Sequence, residues 1–352
     1  MDSNTAGPDF SQEGGFVYKD GRVYYLNVLS REIKVFDFKS GEIVSSIGLE
    51  RAGPNSVGPE PSAFFLHTKD SIFIYSDFFG DRVSLINSKG AVLSRFDLSK
   101  PDANEGGVLG GVVPSGVGSF TLMGSSLFVS RSTYSLKILR RVMPMLKLNL
   151  VDKELEYKSA PLLYSGFLDR VPQYESFLNP DVTSDNARGL LLISYPLDHA
   201  IYASDDGFIS FQKHNLKSKY LPDKPTLLPK PLTEFKGSNE YRETLQNYGF
   251  GITVGYYKSL LFNKYRNTYY RVAIIPHDAK EFRDYRNGTR DKLSSTLYVV
   301  MTINENFEVM SEKVFSSKEL NLHGGLFMSP EGLWGLKHQG DNEDVLEFEL
   351  LK

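Results

Sequence analysis

The chain has 352 residues, 41% of them apolar and 13% aromatic, which excludes a disordered protein and is enough to bury a sizeable core. Its 40 basic residues nearly balance 43 acidic ones, with the signs interspersed, which argues against a surface that follows nucleic-acid phosphates. The sequence has no cysteine, which excludes disulfides, thiolate metal sites and cysteine catalysis, and no apolar run of about 18 residues that would span a membrane.

The first residues are polar and small and do not resemble a signal peptide. Residues 1–12 are therefore predicted to be a disordered leader, or what remains of a chain trimmed just after a processing site. Residues 13–352 are predicted to form a single β-propeller domain, because they repeat one pattern of short strands.

The repeat is clearest in the first hundred residues. Residues 21–44 are predicted as strand, loop, strand, tight turn and strand, and residues 70–93 repeat this order about 49 residues later. Gly41 and Gly90 fall in the tight turns, where a positive φ angle favours glycine. With one more strand before each copy, each unit has four antiparallel strands in roughly 50 residues, the size of a propeller blade.

Weaker copies of this pattern, a small or turn residue followed by an apolar strand, continue along the chain. They begin at Ser126, Ala200, Ser259 and Gly332. Together with the two clear units they predict an all-β propeller of six blades, each with four antiparallel strands. Five or seven blades, or a β-sandwich, are the alternatives.

The copies are separated by long polar or proline-rich segments, which we interpret as loops on the faces of the disc. These segments are residues 101–118, 161–189, 222–249 and 276–294. Residues 238–247 are predicted to form a short helix with Ser238 or Asn239 as its cap. The last segment supplies only three strands, so residues 9–19 are predicted to complete the final blade and close the ring.

Several short motifs resemble an uncharacterised family of Bacteroidetes envelope lipoproteins, a domain of unknown function with a six-bladed propeller. The motifs are Arg51-Ala52-Gly53-Pro54-Asn55, Phe64-Phe65-Leu66, Asp70-Ser71-Ile72-Phe73-Ile74, Asn267-Thr268-Tyr269-Tyr270-Arg271 and Asn304-Glu305-Asn306-Phe307. The resemblance implies a signal peptide and a lipidated cysteine that are absent from this chain. It also implies an extracytoplasmic protein, either anchored to the outer membrane or periplasmic, and it supplies no functional residue.

Motifs for catalysis and metal binding are absent from the sequence. No two histidines have the helical spacing of a zinc site, and no Gly-x-Ser-x-Gly nucleophile motif occurs. We therefore predict no catalytic residue, no metal ligand and no cofactor. Calcium is compatible with a propeller but is not supported by any residue pattern.

The longest basic cluster comprises Lys264, Arg266 and Arg271, with three tyrosines among them. Aromatic and basic residues together can bind nucleic acid by stacking and charge pairing. We interpret this stretch instead as a strand with a solvated face, and no nucleic-acid partner is predicted.

Aromatic and arginine residues are frequent in the long loops, and recognition surfaces are built from such residues. Loop placement alone selects nine candidate binding residues: Arg51, Phe79, Arg131, Tyr134, Tyr174, Tyr241, Tyr248, His323 and His338. The alternative for each is packing within its own loop.

These features predict a non-catalytic module that binds a ligand over the central channel. The partner would be a small molecule, a glycan or a peptide, or an envelope protein, with membrane contact only through a lipid anchor absent from this chain. An enzyme, a hydrolase or lyase acting on glycans or lactones, is the alternative from another class. A purely structural interaction hub is the third possibility.

Overall fold

The computed structural model describes residues 15–76, 82–98, 109–112, 120–133, 143–160, 170–171, 180–205, 208–337 and 346–351. These residues form six antiparallel sheets arranged in a ring, so the prediction of a six-bladed propeller is confirmed. The alternatives of five or seven blades and of a β-sandwich are wrong.

The first three blades follow one another along the chain. Blade 1 consists of β1 (Phe16–Lys19), β2 (Arg22–Asn27), β3 (Glu32–Asp37) and β4 (Ile43–Gly48). Blade 2 consists of β5 (Pro61–Thr68), β6 (Ser71–Ser76), β7 (Arg82–Ile86) and β8 (Val92–Asp97). Blade 3 consists of β9 (Leu109–Val112), β10 (Phe120–Met123), β11 (Ser126–Thr133), β12 (Met143–Asn149) and β13 (Leu155–Ala160), with β9 paired to β11.

The other three blades repeat the arrangement. Blade 4 consists of β14 (Asp181–Asp185), β15 (Leu190–Ser194), β16 (Ala200–Ser204) and β17 (Gln212–Asn215). Blade 5 consists of β18 (Tyr256–Asn263), β19 (Thr268–Ile275), β20 (Leu297–Ile303) and β21 (Val309–Ser316). Blade 6 has three described strands, β22 (Leu320–Ser329), β23 (Gly332–Lys337) and β24 (Phe348–Leu351).

Apolar side chains between neighbouring blades hold the ring together. The second strand of a blade is covered on both faces, and Ile72 to Tyr75 in β6 are accordingly all buried. Such a strand shows a continuous apolar run rather than alternation. The outermost strand of blade 1, β4, is mostly exposed. Side-chain burial thus decreases from the second strand to the outermost strand. This difference explains why the repeat is clearest in the second strands of the sequence.

The ring closes between blade 6 and blade 1. Phe16 of β1 packs on Phe327 of β22, with ring centroids 6.5 Å apart, and Phe38 contacts Trp334 at 5.4 Å. Residues 9–19 were predicted to complete the final blade. In the structure, residues 16–19 instead pair with β2 and form the inner strand of blade 1. The earlier part of that predicted strand, residues 9–14, lies outside the described residues.

In the described connections lie three α-helices: α1 (Ser238–Tyr248), α2 (Phe250–Thr253) and α3 (Ala279–Arg286). A 3-10 turn at Leu232–Glu234 precedes them. The predicted helix is confirmed as α1, but its cap is Gly237, without a side-chain bond. α3 was not predicted, although Asp278 caps it by accepting from two backbone amides. No helix in the described part of the chain is long and apolar enough to cross a membrane.

Alternating strand direction gives the ring two different faces. We call one of them the turn face. It carries the connections from the first to the second strand of each blade and from the third to the fourth. The turns from first to second strand are residues 20–21, 69–70, 124–125, 186–189, 264–267 and 330–331. The opposite face, called the loop face, carries the longer connections. Its described connections include residues 49–60, 216–255 and 276–296.

Gly325 provides a test of blade 6. It lies at an irregularity in the pairing of β22 with β23, and an added Cβ would overlap with Leu336 Cβ and lie 2.7 Å from the carbonyl oxygen of Asn321. We expect Gly325→Ala to lower the free energy of unfolding by about 1–3 kcal/mol, the usual cost of overpacking. Urea denaturation followed by circular dichroism measures this loss.

Gly251 in α2 is the matched control, because nothing lies within 4 Å of the position its Cβ would take. Alanine there favours the helix, so Gly251→Ala should be neutral or slightly stabilising. Equal losses in the two variants would contradict the close packing of blade 6 at Gly325.

Candidate functional site

The inner strands of all six blades enclose a cavity of about 470 Å³ in the central channel. Its lining comes from β1, β5, β10, β14, β18 and β22 and extends to turn-face residues such as Gly124, Asn186 and Lys264. Because the ends of all six inner strands meet here, the cavity lies in the turn-face half of the channel.

Part of the cavity wall is aromatic and apolar. Tyr18 of β1 and Tyr265, in the turn after β18, meet edge to face with ring centroids 6.0 Å apart. Tyr18 also packs on Phe38 at 5.1 Å, which holds its ring in place. Phe65 and Met328 add further apolar surface to the lining. A ligand body without charge would therefore find dispersion contacts in this part of the cavity.

Two lysines and a histidine line the same cavity. The half-buried Lys19 donates a hydrogen bond from Nζ to the carbonyl oxygen of His67. The exposed Lys264 places Nζ 5.1 Å from the ring centroid of Tyr265. These groups bring positive charge from blades 1 and 5 to the turn-face end of the channel.

Burial and the charges of neighbouring groups shift the pKa values of Lys19 and His67. Burial lowers the pKa of Lys19, the charge of Lys264 lowers it further, and Asp20 acts in the opposite direction. Burial, and then the charge of Lys19, lower the pKa of His67. His67 is thus neutral at pH 7, and positive charge at the site comes from the two lysines.

Hydroxyl groups from blades 3 and 4 line another part of the cavity. The buried Thr121 donates from Oγ1 to Ser184 Oγ at 2.7 Å, and Ser184 Oγ donates to the carbonyl oxygen of Leu122 at 3.1 Å. Asn186 Nδ2 lies 3.4 Å from the same Ser184 oxygen. These bonds fix polar groups that a ligand could use for orientation.

The described lining of the cavity carries groups that form hydrogen bonds and groups that carry positive charge. Its described lining offers amines, an imidazole, hydroxyls and an amide, and contains neither Asp nor Glu. Propeller glycosidases would need a pair of carboxylates at the channel. Within the described residues, no group of three or more His, Asp or Glu side chains is placed to hold a metal ion.

Of the nine residues predicted from loop placement, the three whose side chains are described, Arg51, Tyr241 and Tyr248, do not line this cavity. Arg51 is exposed in the connection between blades 1 and 2, and Tyr241 and Tyr248 lie on α1, all at the loop face. Arg131 lies in β11 and His323 in β22, but their side chains are outside the described part. The remaining four lie outside the described residues: Phe79, Tyr134, Tyr174 and His338.

Of the predicted set, the structure brings together Tyr241 and Tyr248 on one helix. Tyr241 packs edge to face on Phe235 at 5.4 Å, while Tyr248 stacks on Phe250 at 5.6 Å and remains 51% exposed. Both rings therefore have packing partners within their own connection.

Sequence reasoning missed the cavity residues Lys19, His67 and Tyr18. It did notice Lys264, but as part of a strand with a solvated face. That interpretation is wrong for Arg271, which is fully buried, while Lys264 belongs to the turn that lines the cavity. The site could have been predicted from where residues lie in each blade. Lys19, His67 and Tyr18 lie at or near the end of an inner strand, close to the turn that follows it.

Comparison with solved structures supports the fold. A crystal structure of a member of the DUF4221 family from Bacteroides vulgatus has a TM-score of 0.72 and 18% sequence identity, covering 96% of this chain and 91% of that one. A putative exported protein from Bacteroides fragilis has a TM-score of 0.55 and 14% identity, covering 93% of this chain and 79% of that one. No curated protein matches the sequence.

The family model described as Domain of unknown function (DUF4221) matches residues 4–314, which is most of the chain. The resemblance drawn from short motifs such as residues 51–55 and 267–271 is thereby confirmed for the family and for its propeller. The chain belongs to the DUF4221 family of six-bladed β-propellers.

Proposed function

We propose that this protein is a non-catalytic binding protein whose small-molecule ligand occupies the channel cavity at the turn face. The cavity itself is the observation that carries the proposal, since its volume of about 470 Å³ lies within the range of about 300–1,000 Å³ for small-ligand sites. Its wall is apolar and aromatic in one part and presents fixed polar groups in another. An elongated glycan or a whole protein would instead need an open surface.

The proposal includes a place of action outside the cytoplasm. The fold relative from Bacteroides fragilis is described as a putative exported protein, which supports this location. We propose further that a lipid anchor holds the protein at the outer membrane and that its role is in nutrient uptake or surface interactions. Labelling of cells with a palmitate analogue should mark the protein, and its absence from the labelled fraction would contradict the anchor.

A channel-blocking variant tests the binding role. Thr183 of β14 lines the cavity, and tryptophan at this position fills part of its volume. A panel of sugars, short peptides and aromatic and aliphatic carboxylates is screened by thermal shift, because a ligand that binds only the native state raises the melting temperature. We expect at least one compound to raise the melting temperature of the wild type and not that of Thr183→Trp.

Tyr248→Ala, at the exposed loop-face tyrosine, is the matched control and should keep the shift. Circular dichroism of Thr183→Trp shows whether the propeller is intact. The proposal fails if no compound stabilises the wild type, or if the folded Thr183→Trp variant keeps the shift in full.

A further inference from the structure

We infer that the channel cavity selects an anionic ligand, a small carboxylate with an apolar body, whose charged end lies between the ammonium groups of Lys19 and Lys264. This inference rests on the proposed function and adds the chemical class of the ligand. Its support is the charge, the exposure and the neighbours of a few cavity residues.

The first step concerns charge balance at the cavity. Lys19 and Lys264 line one cavity and repel each other. Burial lowers the pKa of Lys19, and the charge of Lys264 lowers it further. In the described part of the chain, neither ammonium group has a carboxylate within 4.0 Å. Asp20 acts on Lys19 from farther away. Two like charges held together at a concave site attract an anion that neutralises them.

The second step concerns the two blades that carry these lysines. Blade 6 stands between blades 5 and 1 in the ring, yet Tyr18 and Tyr265 meet with ring centroids 6.0 Å apart. Each tyrosine directly precedes or follows one of the lysines in sequence. The ring contact therefore holds the backbones that carry Lys19 and Lys264 on the same side of the cavity.

The third step concerns the rest of the ligand. Besides the lysines, the lining includes Val17, Phe65 and Met328, which offer contacts to an apolar group. Free inorganic anions would leave this surface without a partner, so a carboxylate with an aromatic or aliphatic body fits the cavity better. Ammonium groups bind carboxylates through short, charge-assisted hydrogen bonds.

The test uses isothermal titration calorimetry with two probes of matched shape, 2-naphthoate and its neutral analogue 2-naphthamide. We expect the wild type to bind 2-naphthoate about ten-fold or more tightly than the amide, as hydrogen bonds to charged groups are strong. Lys19→Met and Lys264→Met should each weaken 2-naphthoate binding about ten-fold and change amide binding little.

Three further variants give the controls. Asp20→Asn removes the opposing negative charge and should strengthen 2-naphthoate binding. Lys19→Arg keeps the charge and should retain binding, which separates loss of charge from loss of folding. Lys224→Met, at an exposed lysine in the 216–255 connection of the loop face, should have no effect.

Two results would overturn the anionic assignment while leaving the proposed function intact. One is equal affinity of the wild type for both probes, with both lost in Thr183→Trp. The other is that neither probe and no other carboxylate of the panel binds, whereas a sugar of the panel binds in a manner that Thr183→Trp abolishes. Unchanged 2-naphthoate binding in the folded Lys19→Met and Lys264→Met variants would remove the lysines from the site. If neither probe nor panel binds, the proposed function itself fails.

Discussion

Replacing Arg271 by methionine is expected to lower the free energy of unfolding by about 3–5 kcal/mol, the usual cost of removing one member of a buried polar network. Arg271 is fully buried in β19, and its guanidinium lies 3.3 Å from the ring centroid of Tyr257. It donates to Ser194 Oγ at 3.0 Å and to the carbonyl oxygens of His199 at 2.8 Å and Asp198 at 2.6 Å.

The loss is large because methionine cannot donate the hydrogen bonds that Arg271 makes. The carbonyl oxygen of Asp198 and Ser194 Oγ would lose the Arg271 donor, whereas the carbonyl oxygen of His199 keeps the backbone amide of Leu216 at 2.9 Å. Each buried group left unsatisfied costs about 1–3 kcal/mol. Arg271→Lys keeps the charge but not the planar fork of donors, so an intermediate loss is expected. Urea denaturation measures both losses, provided that the dependence of the unfolding free energy on urea concentration is the same in the variants and the wild type.

Arg266 supplies the matched control on the same hairpin. Its side chain is exposed and donates to the carbonyl oxygen of Pro330 at 2.9 Å. Arg266→Met should cost less than about 1 kcal/mol, as is usual for an exposed contact. If Arg271→Met were as stable as Arg266→Met, the guanidinium would not be the link between blades 4 and 5.

The second large effect concerns pH. Burial raises the pKa of Asp181 from its ordinary value of 3.8 to about 7, against the opposing effects of the backbone amides of Leu260 and Val182 and of the Arg271 and Lys258 charges. Within the described residues, Oδ1 of Asp181 has no hydrogen-bond partner. The protein therefore keeps this carboxyl protonated at pH values where the unfolded chain has already lost the proton.

The sign of the pH effect follows from proton binding. Between about pH 4 and pH 7 the folded state holds more protons than the unfolded state, so stability falls as pH rises and levels off above about pH 7. Asp181→Asn removes the titrating carboxyl, so the free energy of unfolding of this variant should not decrease in this way between about pH 4 and pH 7. Each pKa unit corresponds to about 1.4 kcal/mol, so the variant should gain up to about 4 kcal/mol relative to wild type across this range.

Free energies of unfolding measured from pH 4 to pH 8 test this expectation. Asp278→Asn is a contrasting control, because the backbone amides of Glu281 and Lys280 lower the pKa of this α3 cap. Its stabilisation is present at neutral pH and is lost as pH falls, the opposite direction. Parallel pH profiles for wild type and Asp181→Asn would show that Asp181 is not a buried protonated acid.

The fold could be predicted from sequence because the second strands of the blades are covered on both faces. Runs such as Ile72 to Tyr75 carry that burial directly in their composition. Closure could not be predicted in the same way, since any short apolar strand near the N-terminus fits an open blade. In the structure Phe16–Lys19 pair with β2, and Phe16 contacts both Tyr25 of β2 and Phe327 of blade 6.

The candidate site was not predictable from residue types. Lys19 and Lys264 lie far apart in the sequence, and what joins them is the convergence of β1 and β18 at one end of the channel. Which side chain of an inner strand faces the channel depends on the twist of each blade. Arg271 was misjudged for a related reason, because a charged residue in a tyrosine-rich strand usually marks the solvated face.

The crystal structure of the protein with 2-naphthoate would test the central claim most directly. We expect the naphthyl group in the channel cavity, near Tyr18 and Phe65, and the carboxylate within about 3 Å of the Nζ atoms of Lys19 and Lys264. A ligand bound instead at the loop face beside Tyr241 and Tyr248, with the channel free of it, would contradict the claim.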